Sequence, residues 1–176
     1  MFTRKSLIIA LLVLVAFAGT AFTIGSVIAA DATNGLATAS FVRKASADGT
    51  AEVELAQIAL RNTQAPDVRA FAQRMIDDHS AANQKLAALA AQRNLSTPPP
   101  NAQAENLINR LQGLHGKAFD KAYASAMLKD HKKAVKLFEK ASRGVGDKPV
   151  RNFAAHTLPT LKQHLAMARK LEKAHG

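Results

Sequence analysis

The chain contains no cysteine and no tryptophan, only one tyrosine, and no stretch that alternates apolar and polar residues as a strand does. Without thiols it builds no disulfide framework, no thiolate metal site and no cysteine nucleophile. It also lacks a glycine-rich phosphate loop, a G-x-S-x-G elbow and an H-E-x-x-H helix. The usual signatures of nucleotide binding, serine hydrolysis and zinc proteolysis are therefore missing. Acidic residues are scarce, with 13 Asp and Glu against 24 Lys and Arg and a formal charge of +11. That balance suits an anionic partner such as a lipid, an envelope polymer or nucleic acid. No aromatics interleave with the basic positions (Lys129, Lys132, Lys133, Lys136, Lys140), which weakens the nucleic-acid reading and favours a solvated helix face.

The 176 residues are rich in alanine, and 48% are hydrophobic, enough for one helical domain with a single core. At the N-terminus Arg4 and Lys5 precede the apolar run from Leu7 to Ala18, and small residues follow up to Ala29 and Ala30. This is the pattern of a secretory signal over residues 1–30, cut near Ala29 or Ala30. An uncleaved anchor is the competing reading, because residues 6–30 carry no charge. Gly19, Thr20, Thr23, Gly25 and Ser26 dilute the second half and favour cleavage. Either way the working domain, residues 39–176, is expected outside the cytoplasm, in the periplasm or envelope, where nucleic acid is not an expected partner. No partner protein is identifiable. Residues 31–38 read as a flexible lead-in.

From Ser40 an amphipathic helix is predicted to Arg61, with a possible break at Asp48 and Gly49. Pro66 suits the first position of a second helix running to about Arg93, whose seam is Val68, Ala72, Met75, His79, Ala82, Leu86 and Leu89. The run Ser96 to Pro100 must be a loop. A short helical piece carries Leu107, Ile108, Leu111 and Leu114, and a third long helix spans Lys117 to Arg143, its continuity across Gly113 to Gly116 left open. Asp147 is a plausible cap for the last helix, Lys148 to Ala174, in which Pro159 should form a kink. Four long amphipathic helices with short connections predict an all-α, up-down-up-down four-helix bundle.

Two of these helices are near-copies. Phe71 to Leu86 (FAQRMIDDHSAANQKL) aligns without a gap to Tyr123 to Phe138 (YASAMLKDHKKAVKLF), pairing Met75 with Met127, Asp78 with Asp130 and His79 with His131. In an up-down-up-down bundle the first and last interhelical turns share one end. Counted from them at about 1.5 Å per residue, Glu52, His79, His131 and His164 fall within about one turn of a common level. Each faces the core from a different helix. A buried carboxylate and three imidazoles need a partner, and Glu with His is a ligand set for a divalent transition metal, with iron, zinc, manganese and copper all open. Asp78 and Asp130 sit about 100° round the helix from their histidines and suit bonds to the ligands or the rim of the site. The alternative is bundle packing alone, with each Asp-His pair a hydrogen-bonded core feature and the basic face contacting anionic lipid or polymer. No reaction can be read from either arrangement.

Several ordered motifs resemble a known family: TAEVEL at Thr50 to Leu55, FAQRMIDDHSAAN at Phe71 to Asn83, GKAFDKAY at Gly116 to Tyr123, KDH at Lys129 to His131 and LPTLKQHL at Leu158 to Leu165. They are similar to the exported bacterial ferritin-like family catalogued as domain of unknown function 4142. The resemblance implies a ferritin-like four-helix bundle behind a signal peptide, and no established activity. Matched residue by residue it picks out Glu52, Asp78, His79, Asn83, Asp120, Tyr123, His131, Pro159 and His164. The chain lacks the paired Glu and two Glu-x-x-His signatures of ferritins proper, so ferroxidase activity and iron storage do not carry over.

Overall fold

The computed structural model describes residues 22–144 and 146–176, with side chains from Thr33 onward. Most of the expected signal segment, residues 1–21, lies outside the described residues. Five helices follow: α1 (Phe22–Asn62), α2 (Pro66–Ala91), α3 (Ala102–Gln112), α4 (Gly116–Ser142) and α5 (Lys148–His175). No strand occurs among the described residues. Among them, too, no helix is long and apolar enough to cross a membrane.

Local chemistry explains the element boundaries. Pro66 opens α2, where its missing N–H removes a donor that would have no helical partner. The Asp147 carboxylate caps α5 by accepting from the Val150 N–H, as the sequence suggests. Asn101 does the same for α3 through Ala104. The chain turns at Gly113 to His115, so the third long helix is separate from the short piece before it. Gly116 starts α4 with φ +53°, a conformation that favours glycine. Two expectations change for α1. Residues 31–38 are part of the helix and not a flexible lead-in, and Thr38 is buried, its hydroxyl accepting from the Asp147 N–H. Gly49 does not break the helix; a Cβ there would collide with the Asn83 amide on α2, so glycine lets the two helices approach.

The helical bundle is as expected, but the helix directions are not. The Asn62 amide at the end of α1 donates to the carbonyls of Leu111, Gln112 and Leu114, and the Thr63 hydroxyl donates to Asp120 near the start of α4. His175, at the end of α5, meets Asp67 in the first turn of α2. All of these lie at one end of the bundle. At the other end Arg93, just past α2, pairs with Asp147, just before α5. Helices α2 and α4 therefore run parallel, and residues 92–112 climb the length of the bundle to join them. The order is up-down-down-up rather than up-down-up-down.

The principal neighbours are α1 with α2 and α4 with α5, closed by α2 against α5 and α1 against α4. The core has two halves. One holds Leu55, Ile58, Phe71, Met75, Phe119 and Met127 with their neighbours. The other gathers Phe41, Leu86, Phe138, Val150, Phe153 and Leu161. In the second half Phe41, 2% exposed, meets Phe138 edge-on at 5.1 Å and Phe153 at 6.4 Å. Replacing Phe41 by alanine should cost about 3–5 kcal/mol of unfolding free energy in urea titrations. Leu36→Ala, at a position 75% exposed, should change it by no more than about 0.5 kcal/mol.

Candidate metal centre

Between the two apolar halves lies a polar layer. His79 of α2, His131 of α4 and His164 of α5 are all buried, with ring centroids 5.7 Å apart for His79 and His131, 5.3 Å for His79 and His164, and 5.4 Å for His131 and His164. One nitrogen from each ring lies within 4.8 Å of the other two. They meet because each stands near the midpoint of a helix of similar length. His79 is thirteen residues after Pro66, His131 fifteen after Gly116, and His164 eleven before His175. At about 1.5 Å per residue these are depths of roughly 16–22 Å below the same end of the bundle. A midpoint is equally far from either end, so the common level follows even though α4 and α5 point opposite to expectation.

Hydrogen bonds determine which nitrogen of two of the rings is free. His131 Nδ1 is 2.9 Å from the Met127 carbonyl oxygen. A carbonyl only accepts, so Nδ1 carries the proton and Nε2 keeps a lone pair. His164 Nε2 donates to Asp78 Oδ2 at 2.8 Å, leaving the lone pair on Nδ1. Asp78 is anchored in turn by Arg74, one turn earlier on α2. His131 Nε2, His164 Nδ1 and His79 Nε2 are all buried with no hydrogen-bond partner among the described residues. A carboxylate behind an imidazole whose other nitrogen is free is the usual support for a metal ligand.

The electrostatics keep these rings neutral. Burial, then the neighbouring imidazoles His131 and His164, lowers His79 from 6.5 to about 3. Burial and His164 lower His131 to about 4. Burial also lowers His164, against the opposing pull of Asp78. Partial burial works against ionised Asp78, but the hydrogen bonds from Arg74 and His164 outweigh it and hold its carboxyl below the ordinary range. Neutral imidazoles grouped in this way form a Lewis-base site.

The other expected residues distribute as follows. Glu52 is 7% exposed at the same level, but it stands outside the three-nitrogen cluster. Its Oε1 is 4.0 Å from His131 Nδ1, the nitrogen already engaged by Met127, and its Oε2 has no partner. Burial, with Asp130 and Asp48 nearby, pushes its carboxyl well above the ordinary value toward the neutral form. Asp78 reaches the site by crossing to α5, serving His164 and not the adjacent His79. Asp130 pairs with Lys133 at 3.0 Å, and Asn83 lies against Gly49. Asp120 and Tyr123 are buried nearer the end of the bundle, about three and two turns before His131 along α4. Asp120 is held by Thr63, and Tyr123 packs between Phe71 and Phe119. The Tyr123 hydroxyl is buried with no hydrogen-bond partner among the described residues, and burial together with the nearby Glu52 carboxyl pushes it well above its ordinary value. Sequence reasoning missed Arg74, although its i, i+4 spacing to Asp78 is a legible signal.

The family described as Domain of unknown function (DUF4142) matches residues 26–171. The chain belongs to DUF4142. No curated protein matches the sequence. Crystal structures that share its fold include two DUF305 proteins. A DUF305 protein from Streptomyces coelicolor, which its description proposes to be secreted, superposes with a TM-score of 0.68 at 17% identity, covering 80% of this chain and 92% of that one. A DUF305 fragment from Deinococcus radiodurans gives 0.70 at 15% identity, covering 78% and 96%. At such identities the likeness concerns the fold alone.

Two outcomes follow for this DUF4142 chain after chelator treatment. A histidine lowered in the folded state contributes stability fully present above its unfolded value near 6.5 and lost as pH falls through the folded value. Glu52, raised in the folded state, acts in the opposite sense, favouring the fold below about 4.5. With three imidazoles against one carboxyl, the urea midpoint should fall from about pH 6.5 to about pH 4. His79→Leu, which removes an unpartnered buried polar group, should raise metal-free stability by about 1–2 kcal/mol and flatten that fall.

Proposed function

We propose that this protein binds one divalent transition-metal ion at mid-bundle through His79 Nε2, His131 Nε2 and His164 Nδ1. The observation that carries this reading is that three buried imidazoles each bring a nitrogen within 4.8 Å of the other two, and each has one buried nitrogen with no hydrogen-bond partner among the described residues. A buried acceptor without a donor costs free energy, and a cation is the one partner that offsets all three costs at once. Three imidazoles suit zinc, copper or iron, whereas manganese favours oxygen ligands. Three protein ligands also leave a coordination position for an outside molecule. Asp78, steadied by Arg74, orients the His164 ring, and the Met127 carbonyl orients His131. Glu52 is a neighbour of the ligands and not one of them.

We place the protein outside the cytoplasm. The N-terminal signal pattern supports this, as does the proposed secretion of the Streptomyces DUF305 protein with which it shares a fold.

Titration of chelator-treated protein with Zn(II), Cu(II) and Fe(II), followed by elemental analysis after desalting, should find about one ion per chain for at least one metal. His79→Ala and His131→Ala should each abolish it, Asp78→Asn should weaken it about 10–100-fold, and Glu52→Gln should retain it. A wild-type chain that retains none of the three ions would overturn the proposal.

A further inference from the structure

The bundle is not evenly closed. Between α1 and α4, with α3 at the border, small side chains line the opening: Ala45 and Ala51 of α1 and Ser125, Ala126 and Ala134 of α4. Small residues leave a gap that larger ones would fill, and here it forms a cleft of about 320 Å³. Pockets of about 300–1,000 Å³ are the size that holds small organic ligands. The cleft has two kinds of wall. Leu86, Phe138, Phe153 and Leu161 supply an apolar interior. Exposed charges surround its mouth, where Lys44 pairs with Asp48 at 3.1 Å and Lys133 with Asp130 at 3.0 Å. These pairs cancel. Lys129 and Arg110, also on the lining and exposed, make no ion pair or hydrogen bond among the described residues. Glu52 lines the inner wall with a buried carboxyl oxygen that lacks a partner, a group that a ligand or the water it carries in would satisfy.

We propose that the cleft between α1 and α4 binds a small amphipathic anion, its apolar chain against Leu86, Phe138 and Phe153 and its head group at Lys129 and Arg110. Against Leu86, Phe138 and Phe153 a hydrocarbon body is favoured over a sugar or a bare inorganic anion, which would lose water at those side chains without gaining partners. Two free cations at the mouth of an apolar pocket favour a negative head over a positive one. His79 also lines the inner wall, so the cleft reaches the imidazole layer, but the groups assigned to the ligand's chain and head lie outside the cluster and do not require it to hold a metal.

The probe is octanoate, with octanol as its uncharged counterpart, titrated into the chelator-treated full chain and followed by amide chemical shifts and calorimetry. Octanoate should shift the amides of Ala45, Gly49, Ala126 and Ala134. Because hydrogen bonds to charged groups are worth about 1.5–3 kcal/mol, the double variant Lys129→Glu, Arg110→Glu should weaken octanoate at least about tenfold. It should change octanol less than about twofold. Both substitutions are on exposed helix positions and should leave the thermal midpoint unchanged within about 2 °C. Absence of octanoate binding, shifts outside the cleft, or equal loss of octanoate and octanol in the variant would each overturn the proposal. Octanoate bound by a chain that takes up no metal would leave it standing while removing the metal reading.

Discussion

Three imidazoles buried together, each with a ring nitrogen that has no hydrogen-bond partner among the described residues, form the constraint around which this bundle is built. The two apolar halves of the core lie on either side of that layer and hold the helices rigidly enough to keep it. Without them the rings would rotate toward water, where each nitrogen finds a hydrogen bond at no cost. The supporting bonds lie where they orient the rings without occupying the free nitrogens: a backbone carbonyl behind His131, and a carboxylate, itself bound by Arg74, behind His164. A protein selected for packing alone would have filled the layer with leucine. Polar groups kept where an apolar residue would be more stable are a mark of function.

The internal repeat has a structural meaning that only the helix directions reveal. Helices α2 and α4, the near-copies, run parallel on one diagonal of the bundle, and α1 and α5 run parallel on the other. A twofold axis along the bundle would exchange them in pairs, setting His79 against His131 and Phe71 against Tyr123. Under the same operation Glu52 is the counterpart of His164. On one side a histidine bonds an aspartate, His164 with Asp78. On the other an acid faces an acid, and Asp130 helps push Glu52 toward its neutral form. The layer is thus symmetrical in its backbone and broken in its chemistry, with the odd residue beside the cleft between α1 and α4.

That cleft follows from the same unevenness. Short side chains along α1 and α4 keep the facing surfaces from meeting, while aromatic residues close the lower core beneath. The fold it shares with the DUF305 structures at 15–17% identity needs only amphipathic helices of suitable length. The histidine layer and the cleft are features of particular side chains on that scaffold, and fold likeness says nothing of them.

The helix content, most helix ends, the seam of α2 and the approximate level of Glu52, His79, His131 and His164 are all present in the order of residues, because each depends on spacing along one helix. Helix direction was not legible, since residues 92–112 read equally well as a short connection or as a full-length climb, and only contacts such as Thr63 with Asp120 and Arg93 with Asp147 distinguish the two. The role of Asp78 was hidden for a related reason: its partner is 86 positions away on another helix, and periodicity carries no information across helices. Which imidazole nitrogen is free, and that Glu52 stands behind His131 and outside the cluster, depend on rotamers chosen by packing. By itself the sequence determined a helical bundle with four polar groups at one height; the tertiary structure decided which three of them converge, because convergence is set by distances between helices and not along them.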